Sequence, residues 1–383
     1  MWAAVASPTS FDDLSLDELR QRRSVKWRRY PADVLPAWVA ELDFPLAPAV
    51  QRALADAVDR GDTGYASAGD LPGAFASFAA ERWGWQVDPE RTLLVADIMS
   101  GVAELLRALT EPGDRVVLNP PVYAPFFTVT REAGREVVEA PLRSDWRLDL
   151  DALAAVFADG AACYLLCSPH NPTGTVHTRE ELCAVAKLAD EHGVLVLSDE
   201  VHAPMTLPGA KHVPYLEVGA DNGLALVSAS KAWNLAGLKC ALAVSASERM
   251  AGELARVPSH VPFHAGHFGV IGSLAAFVDG GDWLDELVAH LDTQRTRLAG
   301  LLAAELPAVS LVRPEAGYLA WLDCRALGLG DDPSEVFLER GRVALSSGLP
   351  FGAEGKGFAR LNIGTSGALL AEAVARMRSA LDG

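Results

Sequence analysis

From about residue 50 to 280 the chain alternates short β-rich apolar runs with amphipathic stretches, and this alternation constrains the fold more than any other feature. The runs Leu93–Ile98, Arg115–Asn119, Glu136–Ala140, Ala161–Cys167, Val194–Ser198, Ala225–Ala229 and Ala241–Ser245 are candidate strands. Helical patterns such as Gly101–Thr110 and Thr178–His192 lie between several of them. The second opens on Thr178-Arg-Glu-Glu181, a capping box whose glutamate bonds back to the N-cap amide. Strands that alternate with helices predict an α/β fold: a mostly parallel seven-stranded sheet with helices on both faces. In such sheets ligands bind at the carboxyl ends of the strands, where the loops gather.

The last hundred residues change character. A long helical pattern, Trp283–Leu306, precedes shorter strands at Ser310–Arg313, Tyr318–Asp323, Val343–Ser346 and Ala359–Ile363, and a closing helix at about Gly367–Leu381. This divides the chain into a large domain over 49–282, a smaller α+β domain over 283–383, and an N-terminal segment, 1–48, that packs with the smaller one. The Pro-rich stretch Tyr30–Pro48 reads as an extended connector. At 383 residues the chain is long enough for about two domains and a large core.

Fifty acidic residues against 33 basic ones leave a net charge of −17. That is the wrong sign for a general nucleic-acid binder or for docking on an anionic membrane. No run of about 18 apolar residues suggests a membrane span, and the N-terminus lacks the basic start of a signal peptide. Cys163, Cys167, Cys183, Cys240 and Cys324 are scattered and mostly set in apolar runs. They read as buried thiols of a reducing compartment, so the expected location is cytoplasmic.

Four local patterns carry chemistry. Ser168-Pro-His-Asn-Pro-Thr-Gly174 follows the strand ending at Cys167 and fixes Asn171 at its mouth, unless it is an ordinary turn. Val194-Leu-Val-Leu-Ser-Asp-Glu-Val-His202 delivers Asp199, Glu200 and His202 to the end of an apolar strand. A carboxylate there is costly unless a cation meets it, the alternative being a solvated strand end. Ser228-Ala-Ser-Lys231 sets two hydroxyls around a lysine, with Lys239 eight residues on. Lys231 is either a snorkelling surface side chain or a desolvated, Schiff-base lysine. Lys239, Ser228 and Ser230 together suit a phosphate monoester. Last, Arg360 lies in the apolar strand Phe358-Ala-Arg-Leu-Asn-Ile-Gly364, where it needs either a bidentate anionic ligand or an internal salt bridge.

The order of these motifs, with Asp199 28 residues after Asn171 and Lys231 another 32 on, closely resembles the fold-type I pyridoxal phosphate enzymes of the class I/II aminotransferase group. The resemblance spans about Trp38 to Arg360 and implies the fold of those transferases, with pyridoxal 5'-phosphate as cofactor. It implies that Lys231 forms the Schiff base and shuttles the Cα proton, and that Asp199 keeps the pyridine nitrogen protonated so that the ring acts as an electron sink. It implies His202 and Asn171 at the cofactor's 3-hydroxyl, with Asn171 alternatively on the substrate carboxylate, and Arg360 as the clamp on that carboxylate. Pro120-Pro-Val-Tyr123 matches the loop whose aromatic stacks on the pyridine, which makes Tyr123 the stacking residue. Ser100-Gly-Val-Ala103 matches the helix start that offers amides to the phosphate, which assigns Gly101, Val102 and Ala103 to the cofactor. Gly64-Tyr65 resembles the segment that lends Tyr65 to the partner subunit's phosphate, implying a homodimer with shared sites. The family usually has arginine where this chain has Lys239.

Within the group, Trp38-Val-Ala-Glu-Leu-Asp-Phe-Pro45, Asp-Glu-Val-His202 and Asn-Leu-Ala-Gly-Leu238 resemble the cystathionine β-lyase and cysteine-S-conjugate β-lyase branch. The departures are Glu41, Leu42 and Ala203-Pro204, which bear on substrate recognition. The implied reaction is carbon–sulfur β-elimination from an S-substituted cysteine to thiol, pyruvate and ammonia, with transamination as the alternative. His260, His264 and His267 have helical spacing, but Pro258 and Pro262 argue against a regular helix, and no metal site is expected.

Overall fold

Strands of four or five residues, fed by helices, build the sheet that positions everything else. The computed structural model describes residues 11–382; the readings made on residues 1–10 and Gly383 lie outside the described residues. In chain order the strands are β1 (Leu35–Pro36), β2 (Thr92–Val95), β3 (Arg115–Leu118), β4 (Glu136–Glu139), β5 (Cys163–Cys167), β6 (Leu195–Asp199) and β7 (Gly223–Val227). They continue as β8 (Ala241–Val244), β9 (Ser310–Val312), β10 (Leu319–Asp323), β11 (Val343–Ala344), β12 (Ser346–Ser347) and β13 (Phe358–Asn362).

The main sheet has seven strands in the order β2-β8-β7-β6-β5-β3-β4. Its pairs β4–β3–β5–β6–β7 are parallel, and β8 is antiparallel to both neighbours. The reason for that reversal lies in the connection. The chain leaves β7 at Val227 and re-enters at Ala241 through a loop with only a short 3-10 turn, Ala236–Leu238. Parallel re-entry requires a long crossover to the opposite end, so β8 returns from the end that β7 left. The loop, with Lys231 in it, therefore stays at the carboxyl edge. Strands β5 and β7 are buried at every position, as expected where helices cover both faces.

The helix expected from Gly101 begins earlier, at Ile98, and runs to Leu109. Asp97 caps it, accepting from the Ser100 amide at 2.8 Å. Ile98, expected at a strand end, is thus the first helical residue, because β2 stops pairing at Val95. The capping box forms as the sequence predicts. The Thr178 hydroxyl accepts from the Glu181 amide at 3.2 Å, and the Glu181 carboxylate accepts from the Thr178 amide at 2.8 Å.

Beyond the 25-residue helix Gly281–Glu305, a four-stranded antiparallel sheet has the order β12-β13-β10-β9. The strand expected over Val343–Ser346 is split at Leu345: β11 pairs with β1, and β12 pairs with β13. The Pro-rich N-terminal stretch thereby becomes part of a sheet before it crosses to the mouth of the larger one. All five cysteines are free, four buried and Cys183 exposed.

Candidate active site

A cavity of about 260 Å³ opens at the carboxyl ends of β5, β6 and β7, lined by Asn171, Asp199, His202, Ser230, Lys231, Lys239 and Tyr123 together with Ala40, Asp97, Ile98 and Met99. The loop after β5 is held from below. Gly174 has φ +72°, and a Cβ there would strike Pro314 at 2.6 Å, so glycine is required. This fixes Asn171, whose amide donates to the Cys167 Sγ at 3.3 Å and whose Oδ1 accepts from Arg360 Nη1 at 2.9 Å.

The two acids at the end of β6 part company. Glu200 turns into the protein, accepting from Ser198 Oγ at 3.0 Å and the Tyr215 amide at 2.8 Å, with His212 Nε2 3.2 Å away. Asp199 faces the cavity and accepts from the Val201 amide at 3.1 Å. No cation lies within ion-pair distance of Asp199 among the described residues. Burial pushes its carboxyl up to about 7, against the pull of the Val201 amide and of Lys231.

Lys231, on the β7–β8 loop, donates from Nζ to the Ala40 carbonyl at 3.3 Å. Burial, aided by the nearby Arg360 charge, holds its ammonium below the ordinary lysine range. His202 is buried and kept neutral, its imidazole lowered to about 3 by burial and by the Lys231 and Arg360 charges. Its Nδ1 has no partner among the described residues. Arg360, inside β13, is buried and lowered to about 10 by desolvation. It donates to Asn171 and, at 3.2 Å, to the Trp38 carbonyl, and stands 5.0 Å from the Phe351 ring centre. Among the described residues its Nε has no partner and no carboxylate pairs with it. The internal salt bridge that the strand alone allowed is therefore absent from the described residues. Tyr123 lies edge-on to Phe126, its phenol raised by burial.

Two expectations need correction. Gly101, Val102 and Ala103 do not line the cavity: the helix starts three residues earlier, and the Gly101 amide is spent on the Asp97 carbonyl at 2.8 Å. The amides without a helical partner at that end belong to Ile98 and Met99. Ser228 lies behind the cavity, donating to the Cys240 carbonyl at 2.6 Å and accepting from the Ser230 amide at 3.0 Å. It ties the loop together and does not face a ligand. Lys239 does line the cavity but is paired with Asp97 at 2.8 Å.

Tyr65 is 88% exposed and does not line this chain's cavity. His260 and His264 sit around a 3-10 turn, Val261–His264, with ring centres 5.5 Å apart, while His267 pairs with Asp62 at 3.0 Å. Among the described residues no three His, Cys, Asp or Glu side chains group to hold a metal ion, and no helix is long and apolar enough to cross a membrane.

Sequence reasoning missed the groups that bind Trp38–Pro45 over the cavity. Asn234, at φ +60°, accepts from the Leu42 amide and donates to the Leu42 carbonyl, both at 3.0 Å. Asn362 donates to the Val39 and Glu41 carbonyls at 2.7 Å, and Tyr318 to that of Ala40 at 3.1 Å. Asparagine tolerates a left-handed backbone, but its partner 192 residues away has no local signal.

Residues 39–377 match the family model described as "Aminotransferase class I and II". A Mycobacterium tuberculosis protein named "Putative cystathionine beta-lyase" is 48% identical, covering 98% of both chains. "Cystathionine beta-lyase PatB" of Bacillus subtilis is 34% identical over 96% of this chain and 100% of its own. A solved Corynebacterium diphtheriae structure, described as a "putative plp-dependent beta-cystathionase", superposes with a TM-score of 0.93 at 35% identity, covering 97% of this chain and 98% of that one.

Proposed function

Because this chain belongs to the aminotransferase class I and II family, we propose that it is a pyridoxal 5'-phosphate-dependent carbon–sulfur β-lyase. Its substrates are cystathionine or other S-substituted L-cysteines, cleaved to a thiol, pyruvate and ammonia. The reading is supported by the lyase names of the relatives and solved structure that cover nearly the whole chain.

One observation carries the cofactor. Asp199 is a buried carboxylate raised to about 7 by desolvation, and the same cavity holds a half-buried lysine short of its ordinary proton affinity. A protonated pyridine nitrogen is the missing partner for the first, and an aldehyde carbon for the second. Ile98, Met99, Ser230 and Lys239 supply amides, a hydroxyl and a charge for the phosphate. When bound, the cofactor supplies the electron sink that makes the substrate Cα proton acidic.

The chain's own residues do the rest. Asp199 would hold the proton on the ring nitrogen, and Tyr123 would pack against the ring. Asn171 and the neutral His202 are assigned to the ring's 3-hydroxyl. Arg360, with no acidic partner among the described residues and its Nε free, binds the substrate α-carboxylate. This sets the Cα–H bond toward Lys231, whose lowered proton affinity favours the free amine that accepts the proton. The thiolate then departs from Cβ, and the released aminoacrylate is hydrolysed by water to pyruvate and ammonia. Trp38–Pro45, pinned by Asn234, Tyr318 and Asn362, closes the cavity from above and limits water. Tyr65, exposed and not part of its own cavity's lining, is assigned to the cofactor phosphate of a second copy, making the working unit a homodimer.

The test is incubation with L-cystathionine and an S-alkyl cysteine without any keto-acid acceptor. The expected result is sustained, equimolar release of thiol, pyruvate and ammonia. Turnover that appears only when 2-oxoglutarate or pyruvate is added would make the protein an aminotransferase.

A further inference from the structure

We propose that Asp97 is a competitor for the phosphate-anchoring lysine, built into the site. It holds Lys239 across the mouth of the Ile98–Leu109 helix and so weakens the preference for a phosphorylated cofactor over its unphosphorylated form. The inference rests on the cofactor reading above and adds what that reading does not contain, a carboxylate acting against the anion.

Asp97 is fixed at both oxygens. Oδ1 accepts from the Ser100 amide at 2.8 Å, and Oδ2 accepts from Lys239 Nζ at 2.8 Å. Rotating the carboxylate away would break the helix cap, so it stays beside the Ile98 and Met99 amides. Lys239 is equally constrained. Its backbone lies at φ +61°, and its carbonyl accepts from the Gly266 amide at 2.7 Å. Gly266 packs so closely that a Cβ there would fall 2.1 Å from the Leu238 carbonyl oxygen. Backbone movement therefore cannot carry the lysine out of reach of Asp97.

An anion arriving at the two free amides meets one cation and one carboxylate, which cancel to first order. The carboxylate is ionised: burial raises its proton affinity, but the Lys239 and Ser100 hydrogen bonds outweigh this and leave it below its usual value. A guanidinium at this position has donors enough for both acids, whereas an ammonium is a single point charge that two anions must share. The Lys239 side chain is 55% exposed and that of Asp97 29%. Screening therefore keeps the penalty modest, at about tenfold in affinity at low salt.

Full-length protein freed of cofactor is titrated with pyridoxal 5'-phosphate and with pyridoxal, following the absorbance change on binding. Asp97→Asn and Asp97→Ser both keep an N-cap acceptor, and circular dichroism checks their folding. The expected result is an affinity ratio, phosphorylated over unphosphorylated, about tenfold higher in both variants, with the gain fading at high ionic strength. An unchanged ratio makes Asp97 a helix cap only, and a lower ratio means that its grip on Lys239 helps the anchor; either overturns the inference. Wild-type protein that binds neither compound overturns the cofactor reading, and the inference falls with it.

Discussion

Two buried charged regions lie within a few residues of each other, and they are built on opposite rules. At the seam beneath Trp38–Pro45, Lys26 pairs with Asp43 at 2.7 Å, side chains 1% and 3% exposed, and Lys26 also donates to the Glu41 carbonyl at 3.1 Å. The two fully buried charges there are paired with each other. At the cavity on the other side of Ala40, Lys231 and Asp199, with Arg360 behind Asn171, have no ion-pair partner among the described residues: a carboxyl is raised, an ammonium and a guanidinium are lowered. The first arrangement holds one conformation of the segment; the second keeps the cost of desolvation in hand for a ligand to relieve. Satisfied polar burial reads as architecture, and unsatisfied polar burial in a cavity reads as function.

The comparison breaks most visibly at Lys231. Lys231→Ala removes the group assigned to proton transfer, so β-elimination is expected to fall by on the order of 10⁴-fold. The thermal midpoint of the cofactor-free protein should hold or rise, since a partly desolvated amine is gone. A large loss of stability with activity retained would reverse the assignment of the two regions.

Lys26→Met should do the opposite. It strands Asp43 without a partner, at a cost of about 3–5 kcal/mol in unfolding free energy. Changing Asp43 to Leu as well is expected to recover most of that loss. Denaturant titration of the single and double variants measures both, and a neutral single variant would mean that the pair carries no architectural weight.

The smallest effect sharpens the contrast through pH. Asp199 binds its proton more tightly folded than unfolded, 3.8 moving to about 7. The folded cofactor-free protein therefore holds more protons in that window and loses stability as pH rises through it. At about 1.4 kcal/mol per unit the total is at most about 4 kcal/mol. Asp199→Asn should flatten this slope and stabilise the cofactor-free protein at pH 8, while weakening cofactor binding. An unchanged slope would show that the carboxylate already has a partner.

Much of this was legible before any coordinates. The seven main-sheet strands follow from apolar runs between helical patterns, and the Thr178–Glu181 box from four consecutive residues, because these are short-range effects. The spacing of Asn171, Asp199 and Lys231 is legible for a related reason: each follows a strand, and parallel strands put their carboxyl ends at one edge. Proximity came from topology that the alternation already implied. The tertiary structure alone decided matters that depend on distant partners. It turned Glu200 inward to Ser198 and Tyr215 and left Asp199 facing the cavity, though the two are adjacent in sequence. It started the helix at Asp97, which removed Gly101, Val102 and Ala103 from the cavity and gave Lys239 an acidic neighbour 142 residues away. It spent the Ser228 hydroxyl on Cys240 and left Arg360 without an acidic partner among the described residues. A sequence states which groups can hydrogen-bond or ionise; which of them the fold satisfies internally, and which it leaves for a ligand, depends on what packs against them.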